Sequence, residues 1–197
     1  MKPFRLVLFL FMIVSLCGLE SLFAQYGRPQ SRAQKIDFFQ AVNPGQWVKV
    51  EGTPQPDLKV LTRKAKILSG DFEDDDWEIS GKVTSINKKD STFRILNLLI
   101  RVNHETDFET DDFKHKFSSF SQMKPGMVVE VEGTFLKNGT LMADEVQDET
   151  YTDDEKKLKE VAVVGRVQSL DPRRGLVRVM GIEFQITPQT VVKSAFK

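Results

Sequence analysis

Apolar and polar residues alternate from Trp77 to Ile86, which is the two-residue period of a half-buried β-strand. The polar run 87–90 that follows has the residue types of a turn. Two further strands are predicted over 92–96 and 98–102, with Asn97 as a kink or tight turn between them. This region is therefore predicted to form three strands in succession.

A polar stretch separates these three strands from a predicted hairpin. Phe117 and Phe120 lie three residues apart in this stretch, which is the spacing of one helix face, so a helical or irregular connection is predicted. The hairpin, 127–146, contains Asn138-Gly139, a dipeptide that favours tight turns because both residues tolerate positive φ. Three strands, a connection and two strands is the element order of an OB-fold, a small five-stranded barrel. Residues 77–147 are therefore predicted to form one complete barrel.

The two ends of the chain repeat the two halves of this unit. Pro44 to Thr53 reappears as Pro125 to Thr134 with seven of the ten residues identical, so 34–68 repeats the connection and the last two strands. At an offset of 84, residues 161–192 repeat the first three strands. Half a barrel leaves an apolar face and strand edges uncovered. We therefore expect the two ends to close a second, circularly permuted barrel, and the rival arrangement is the same closure between two chains.

The repeated unit contains, in order, a Gly-x-Val-x-x-Ile strand, a threonine, a Phe-rich stretch, Pro-Gly-x-x-Val-x-Val-x-Gly and a hairpin that ends Ala-x-x-Val. These residues are Gly81, Val83, Ile86, Thr106, Phe117, Phe120, Pro125, Gly126, Val129, Val131, Gly133, Gly139, Ala143 and Val146. The pattern resembles a bacterial family of exported, often tandem, OB-like domains of unknown function. The resemblance implies a barrel outside the cytoplasm and offers no catalytic residues to transfer. The predicted fold class is all-β with minor α: two OB-like five-stranded barrels, one contiguous and one assembled from the N- and C-terminal halves.

Residues 1–24 have the pattern of a secretory signal peptide. Two basic residues precede an apolar run of eleven, Leu6 to Leu16, which is shorter than the roughly 18 residues that cross a bilayer. Cleavage is predicted after Ala24, which would place the mature chain in the periplasm or outside the cell and leave no membrane span. Lipid attachment at Cys17 is disfavoured, because Leu16 is bulkier than the small residue that precedes such a cysteine.

Composition excludes several kinds of site from the mature chain. Cys17 is the only cysteine and lies in the leader, so neither disulfides nor thiolate metal sites are expected. Removing the leader changes the formal net charge from 0 to about −1, so the chain lacks the basic field of a nucleic-acid binder and that partner is disfavoured. No serine or threonine is recognisably paired with a base, so no enzyme is predicted and no catalytic residue or organic cofactor is assigned.

An acidic segment, 105–112, is the main candidate for a cation site, and a histidine flanks it on either side. Carboxylate oxygens suit Ca²⁺, and a mixed nitrogen and oxygen set suits other divalent cations. The segment matches no EF-hand or zinc signature, and exposed acidic loops without a ligand are the commoner explanation. The candidate ligands are His104, Asp107, Glu109, Asp111 and Asp112.

Basic residues lie on or near the front strands of both units, some of them at equivalent positions. They would suit an anionic ligand of the cell envelope, such as a lipid headgroup or a polysaccharide, and the alternative is that they protect strand edges or pair with the acidic segments. The candidates are Lys82, Arg94, Arg101, Arg166 and Arg178. The sequence thus predicts an exported, non-enzymatic binding or interaction module of the bacterial envelope, whose ligand or protein partner is unknown. The alternatives are a divalent-cation-binding module that uses 105–112, and self-assembly into a homo-oligomer by exchange of half barrels.

Overall fold

The computed structural model of this chain describes residues 37–73, 75–110, 112 and 115–194. The predicted leader, Cys17 and Asp111 lie outside these residues. The described part is almost entirely β, with a short helix α1 (Phe38–Ala41) and a 3₁₀ helix (Phe120–Gln122). Its strands are β1 (Trp47–Pro54), β2 (Val60–Ile67), β3 (Trp77–Asn87), β4 (Thr92–Ile95), β5 (Leu98–Arg101), β6 (Asp107–Thr110), β7 (Val128–Phe135), β8 (Thr140–Asp148), β9 (Val161–Asp171), β10 (Leu176–Val179), β11 (Ile182–Gln185) and β12 (Val191–Ser194).

The middle of the chain closes into a five-stranded barrel, which we call the contiguous barrel. Strand β3 pairs antiparallel with β4, and β4 pairs antiparallel with β5. Strand β5 runs parallel to β8, β8 is antiparallel to β7, and β7 returns to β3. Strand β6 adds to β8 in parallel, outside this ring. The segment that contains β6 was expected to be a loop, and the helical or irregular connection expected near Phe120 contains the 3₁₀ turn.

The ends of the chain close into a second ring with the same order, which we call the permuted barrel. Here β9 pairs with β10, β10 with β11, β11 runs parallel to β2, β2 pairs with β1, and β1 returns to β9. Strand β12 runs parallel to β2, as β6 does to β8. The predicted fold class, all-β with one contiguous barrel and one assembled from both ends of the chain, is confirmed. The proposed segment limits at 34–68, 77–147 and 161–192 stay a prediction.

The two barrels share one sheet, which runs β6-β8-β7-β3-β9-β1-β2-β12. Its centre is the antiparallel pairing of β3 with β9, the first strands of the two barrels, through Ile79 and Val163. These two residues correspond at the offset of 84, so the pairing relates the barrels by a local twofold pseudosymmetry. Both are fully buried, as are Val131 and Val50 on the flanking strands, so the two cores are continuous.

A chain of aromatic rings strengthens this junction. The ring of Trp77, at the start of β3, lies 4.9 Å from that of Trp47 on β1 and 5.1 Å from that of Phe135 on β7, measured between centroids. The same indole covers Gly165 on β9, where an added Cβ would lie 2.7 Å from the ring. Trp77 therefore connects the contiguous barrel to two strands of the permuted barrel.

Two repeated residues, a glycine and a threonine, have the same role in each barrel. A register shift immediately precedes Gly52 in the β1–β2 pair and Gly133 in the β7–β8 pair, so each glycine lies in a β-bulge. The hydroxyl of Thr106 donates to the Ala143 carbonyl at 2.8 Å, and that of Thr190 donates to the Thr62 carbonyl at 2.8 Å. Both threonines are buried and tie the segment after the third strand to the last strand of the barrel.

Candidate functional site

The contiguous barrel carries a groove with two arginines on its outer surface, which we call the basic groove. In the β-pairing Arg94 lies opposite Ser85 on one side and Leu99 on the other, and Arg101 lies opposite Thr92. Directly paired residues share one face of a sheet, so both arginines lie on the same surface of β4 and β5. The groove has a volume of about 340 Å³ and is lined by Ser85, Ile86, Asn87, Asp90, Thr92, Phe93, Arg94, Leu99 and Arg101.

The two arginines of this groove form no ion pair within the described residues, although one carboxylate, that of Asp90, also lines the groove. Arg94 is exposed and donates to the Asn97 carbonyl at 2.7 Å, which leaves its charge in place. Arg101 is also exposed. Within the described residues neither arginine forms an ion pair, and the same holds for Lys88 and Lys89 in the β3–β4 turn.

The β3–β4 turn next to the groove is held in a defined shape. The side-chain oxygen of Asn87 accepts the backbone N–H groups of Lys89 at 3.1 Å and of Asp90 at 3.3 Å. The Asn87 amide donates to the Asp90 carboxylate at 2.6 Å, and the Lys88 ammonium donates to the Ser121 carbonyl at 3.2 Å. These bonds fix the turn, so the two lysines stay beside the groove.

The equivalent surface of the permuted barrel carries less excess positive charge. Arg178, which corresponds to Arg94, donates to the Glu183 carboxylate at 2.7 Å, and Glu183 occupies the position of Leu99. Arg101 is replaced by the neutral Gln185. The two barrels therefore have the same strand order but differ in electrostatics: within the described residues Arg178 is ion-paired on this surface, whereas Arg94 and Arg101 are not.

The other two predicted basic residues, Lys82 and Arg166, occupy equivalent positions on β3 and β9 and do not line the basic groove. Lys82 is exposed. The guanidinium carbon of Arg166 lies 5.3 Å from the centre of the Trp47 ring, a cation–π contact at the junction. The structure thus brings together Arg94 and Arg101, and leaves the remaining three candidates elsewhere.

The predicted cation ligands lie partly on a strand. Asp107 and Glu109 are exposed on β6, and His104 is exposed in the turn before it. Asp112 lies 2.7 Å from Nδ1 of His115, whose ring stacks on Tyr151 with centroids 3.7 Å apart. Asp111 falls outside the described residues. The cation site at 105–112 stays a prediction.

Three other carboxylates, Glu78, Glu130 and Glu132, come together on β3 and β7, with one oxygen from each within 4.8 Å of the others. Glu78 lies directly opposite Glu132 in the strand pairing. Burial raises the pKa of the Glu130 carboxyl above its ordinary value, and the Glu78 charge raises it further. Sequence reasoning missed this group because Glu78 lies far in the chain from Glu130 and Glu132 and meets them only through the β3–β7 register.

A charged cleft lies beside this carboxylate group, where the β8–β9 connection faces the shared sheet; its volume is about 350 Å³. Most of the basic and acidic side chains that line this cleft form ion pairs with other residues of the protein. Arg63 donates to both carboxylate oxygens of Glu160 at 2.7 Å and to Glu51 at 2.9 Å, and Lys157 donates to Glu149 at 2.6 Å. Burial alone would raise the pKa of Glu51, but Lys64 and Arg63 together lower it. The cleft therefore holds an internal ion-pair network and offers less uncompensated charge than the basic groove.

Comparison with known proteins gives one match, to a family model that covers part of the chain. No helix in the described part of the chain is long and apolar enough to cross a membrane. No curated protein and no solved structure matches the chain. Residues 80–147, which include most of the contiguous barrel, match a family described as a domain of unknown function (DUF5666).

Proposed function

We propose that this protein is an exported, non-enzymatic binding module of the bacterial envelope that takes an anionic ligand in the basic groove. The observation that carries this proposal is the contrast between the two barrels. Arg94 and Arg101 have no carboxylate partner among the described residues, whereas Glu183 neutralises Arg178 at the equivalent position. Uncompensated arginines on a sheet suit phosphate, sulfate or carboxylate groups, which guanidinium binds in bidentate geometry.

The position of the groove agrees with this function if the barrels are OB-like. In that fold the second and third strands and the loops beside them form the ligand-binding face. Strands β4 and β5 are the second and third strands of the contiguous barrel, and the β3–β4 turn with Lys88 and Lys89 is one of the flanking loops. Cleavage of the predicted secretory leader would put this face outside the cytoplasm.

The lining of the groove favours an envelope anion over a nucleic acid. Proteins that bind single-stranded nucleic acid stack the bases on exposed aromatic side chains. The aromatic residue that lines this groove, Phe93, is only 1% exposed and belongs to the core. Leu99 and Ile86 supply apolar contact instead. The favoured ligands are therefore lipid headgroups or acidic polysaccharides.

Reversing both arginines (R94E/R101E) is expected to weaken binding to anionic probes by roughly tenfold or more, because two attractive charges become repulsive. The probes are vesicles that contain phosphatidylglycerol and, separately, a soluble acidic polysaccharide such as alginate, so that binding to one of them identifies the source of the anion. Vesicle sedimentation and calorimetry, repeated at rising salt, measure the affinity and its electrostatic part.

The matched control is R178E in the permuted barrel, at the position equivalent to Arg94. It should leave binding unchanged, because Glu183 already neutralises that arginine. Equal loss of binding in R178E and R94E/R101E would show that the ligand binds outside the basic groove, or that the loss of affinity follows the net charge of the protein alone. Wild-type protein that binds neither probe at low salt would reject the proposal.

A divalent cation is the second candidate ligand, because the structure extends the predicted acidic segment into a larger carboxylate surface. Asp107 lies opposite Glu145 in the strand pairing, and Glu145 lies opposite Glu132, which belongs to the group with Glu78 and Glu130. We expect Ca²⁺ at 100 times its dissociation constant to stabilise the native state by about 2.7 kcal/mol. The change would be seen as a rise in melting temperature.

Two neutralising variants locate such a site. If the predicted segment binds the cation, D107N/E109Q removes the rise in melting temperature and E132Q retains it. The reverse result assigns the cation to Glu78, Glu130 and Glu132. An unchanged melting temperature in Ca²⁺, Mg²⁺ and Zn²⁺ rejects the cation-binding alternative.

A further inference from the structure

The outer face of the shared sheet carries one row of charges sorted by sign. Each member lies directly opposite the next in the strand pairing, so all of them share one face. From β12 to β6 the row is Lys193, Lys66, Lys49, Val164, Glu78, Glu132, Glu145 and Asp107. Three lysines thus occupy one end and four carboxylates the other, with a buried valine between them.

The two ends of this row lie on the edge strands of the sheet. Within the described residues β6 pairs only with β8, and β12 pairs only with β2. The strands are equivalent at the offset of 84, and each alternates between exposed and half-buried residues. On β6 the exposed residues are Asp107 and Glu109, whereas on β12 they are Val191 and Lys193. Equivalent edges therefore carry opposite charge.

The strand directions allow these two edges to meet. Following the pairings across the sheet, β6 and β12 run in opposite directions. A second copy placed alongside in the same orientation therefore presents its β12 antiparallel to β6. One register that keeps exposed residues on one face sets Asp107 opposite Lys193 of the second copy. It also sets the half-buried Phe108 opposite Val192, so apolar contact continues from one copy to the next.

We propose that β6 of one chain pairs with β12 of another, so that the shared sheet continues from copy to copy. Exposed edges are normally protected against pairing, and like charges are one means of protection. The carboxylates of β6 protect it in this way against pairing with β6 of a second copy, because an antiparallel pair would set Asp107 against Glu109. Pairing of β6 with β12 sets an acid against a lysine instead. The contact is heterologous, because different strands of the two copies meet, and it is therefore open-ended.

The charges near β6 give this pairing a further electrostatic advantage. Glu145 lies opposite Asp107 on one side and opposite Glu132 on the other, so negative charge is crowded at this end of the row. A lysine next to Asp107 offsets part of this repulsion. The two strands have four residues each, so the contact is small and its affinity weak, and assembly is expected at high local concentration.

Charge exchange between the edges tests the proposal. Sedimentation velocity of the chain from Gln25 onward, at rising protein concentration and low salt, should show association that high salt reverses. K193E and D107K should each weaken association by roughly tenfold or more, because each sets like charges against each other. An equimolar mixture of the two variants should recover it, and so should the double variant D107K/K193E.

Controls separate this inference from the proposed binding function. R94E/R101E removes charge from the basic groove but not from either edge, so it should associate as the wild-type chain does. The melting temperature of each variant monitors its folding, and the mixture of single variants gives a second test that needs no doubly altered chain. Monomeric wild-type protein at every concentration overturns the proposal. So does association that D107K leaves unchanged, or variants that fail to complement one another.

Discussion

Replacing Gly133 by alanine is expected to lower the free energy of unfolding by about 3 kcal/mol or more. A Cβ at this position would overlap the carbonyl oxygen of Met142 on the neighbouring strand. Because the obstructing atom belongs to the backbone, no side-chain rotation relieves the overlap, and the β7–β8 pair would have to separate. Gly52 makes the same approach to the Leu61 carbonyl in the permuted barrel, so G52A should have a similar effect.

Gly126 provides the matched control for this prediction. It lies in the turn before β7, with φ at +95° and no atom within 4 Å of an added Cβ. G126A should therefore cost only about 1–2 kcal/mol, the price of the left-handed conformation for a residue with a side chain. Urea unfolding of the three variants measures the differences. Similar losses in G133A and G126A would show that close approach of the backbone is not the reason for the repeated glycine.

The internal repeat could be recognised from the sequence alone, but the structural role of its repeated glycines could not. Alternation and turn residues predicted the strand order, and the offsets of 81 and 84 predicted a permuted second barrel. The β-bulges at Gly52 and Gly133 depend on contacts with β2 and β8, which the glycines themselves do not reveal. Strand β6 was missed because four residues with two carboxylates have the composition of a loop. Its parallel pairing with the distant β8 makes it a strand.

The candidate site was predicted in part, for a similar reason. The sequence identified Arg94, Arg101 and Arg178 as candidate ligand-binding residues of the front strands. It could not show that Arg94 and Arg101 share a groove while Glu183 neutralises Arg178, because both facts depend on which residues face each other across paired strands. The sorted row of charges depends on the register of eight strands and was beyond any local pattern.

Replacing Trp77 by alanine is expected to lower the free energy of unfolding by about 4 kcal/mol, within the range for large aromatic residues in a core. Its indole is 8% exposed and contacts Trp47 and Phe135, so its loss leaves a cavity where the two barrels meet. W77F retains a ring and should lose less than half as much. Urea unfolding followed by the fluorescence of Trp47, the remaining tryptophan, measures both variants.

Gly165 shows whether that loss arises at the junction. In the wild-type chain G165A should destabilise, because its Cβ would lie 2.7 Å from the Trp77 ring and 3.0 Å from a methyl group of Val179. With Trp77 reduced to alanine the main obstruction is gone, so the same substitution should cost less. The two effects are then non-additive by about 1 kcal/mol or more, as expected for residues in contact. Additive effects would mean that the packing of Trp77 over Gly165 does not couple the barrels. Non-additive effects would show that the Trp77 indole couples the two barrels, at the position where β3 of the contiguous barrel pairs with β9 of the permuted one.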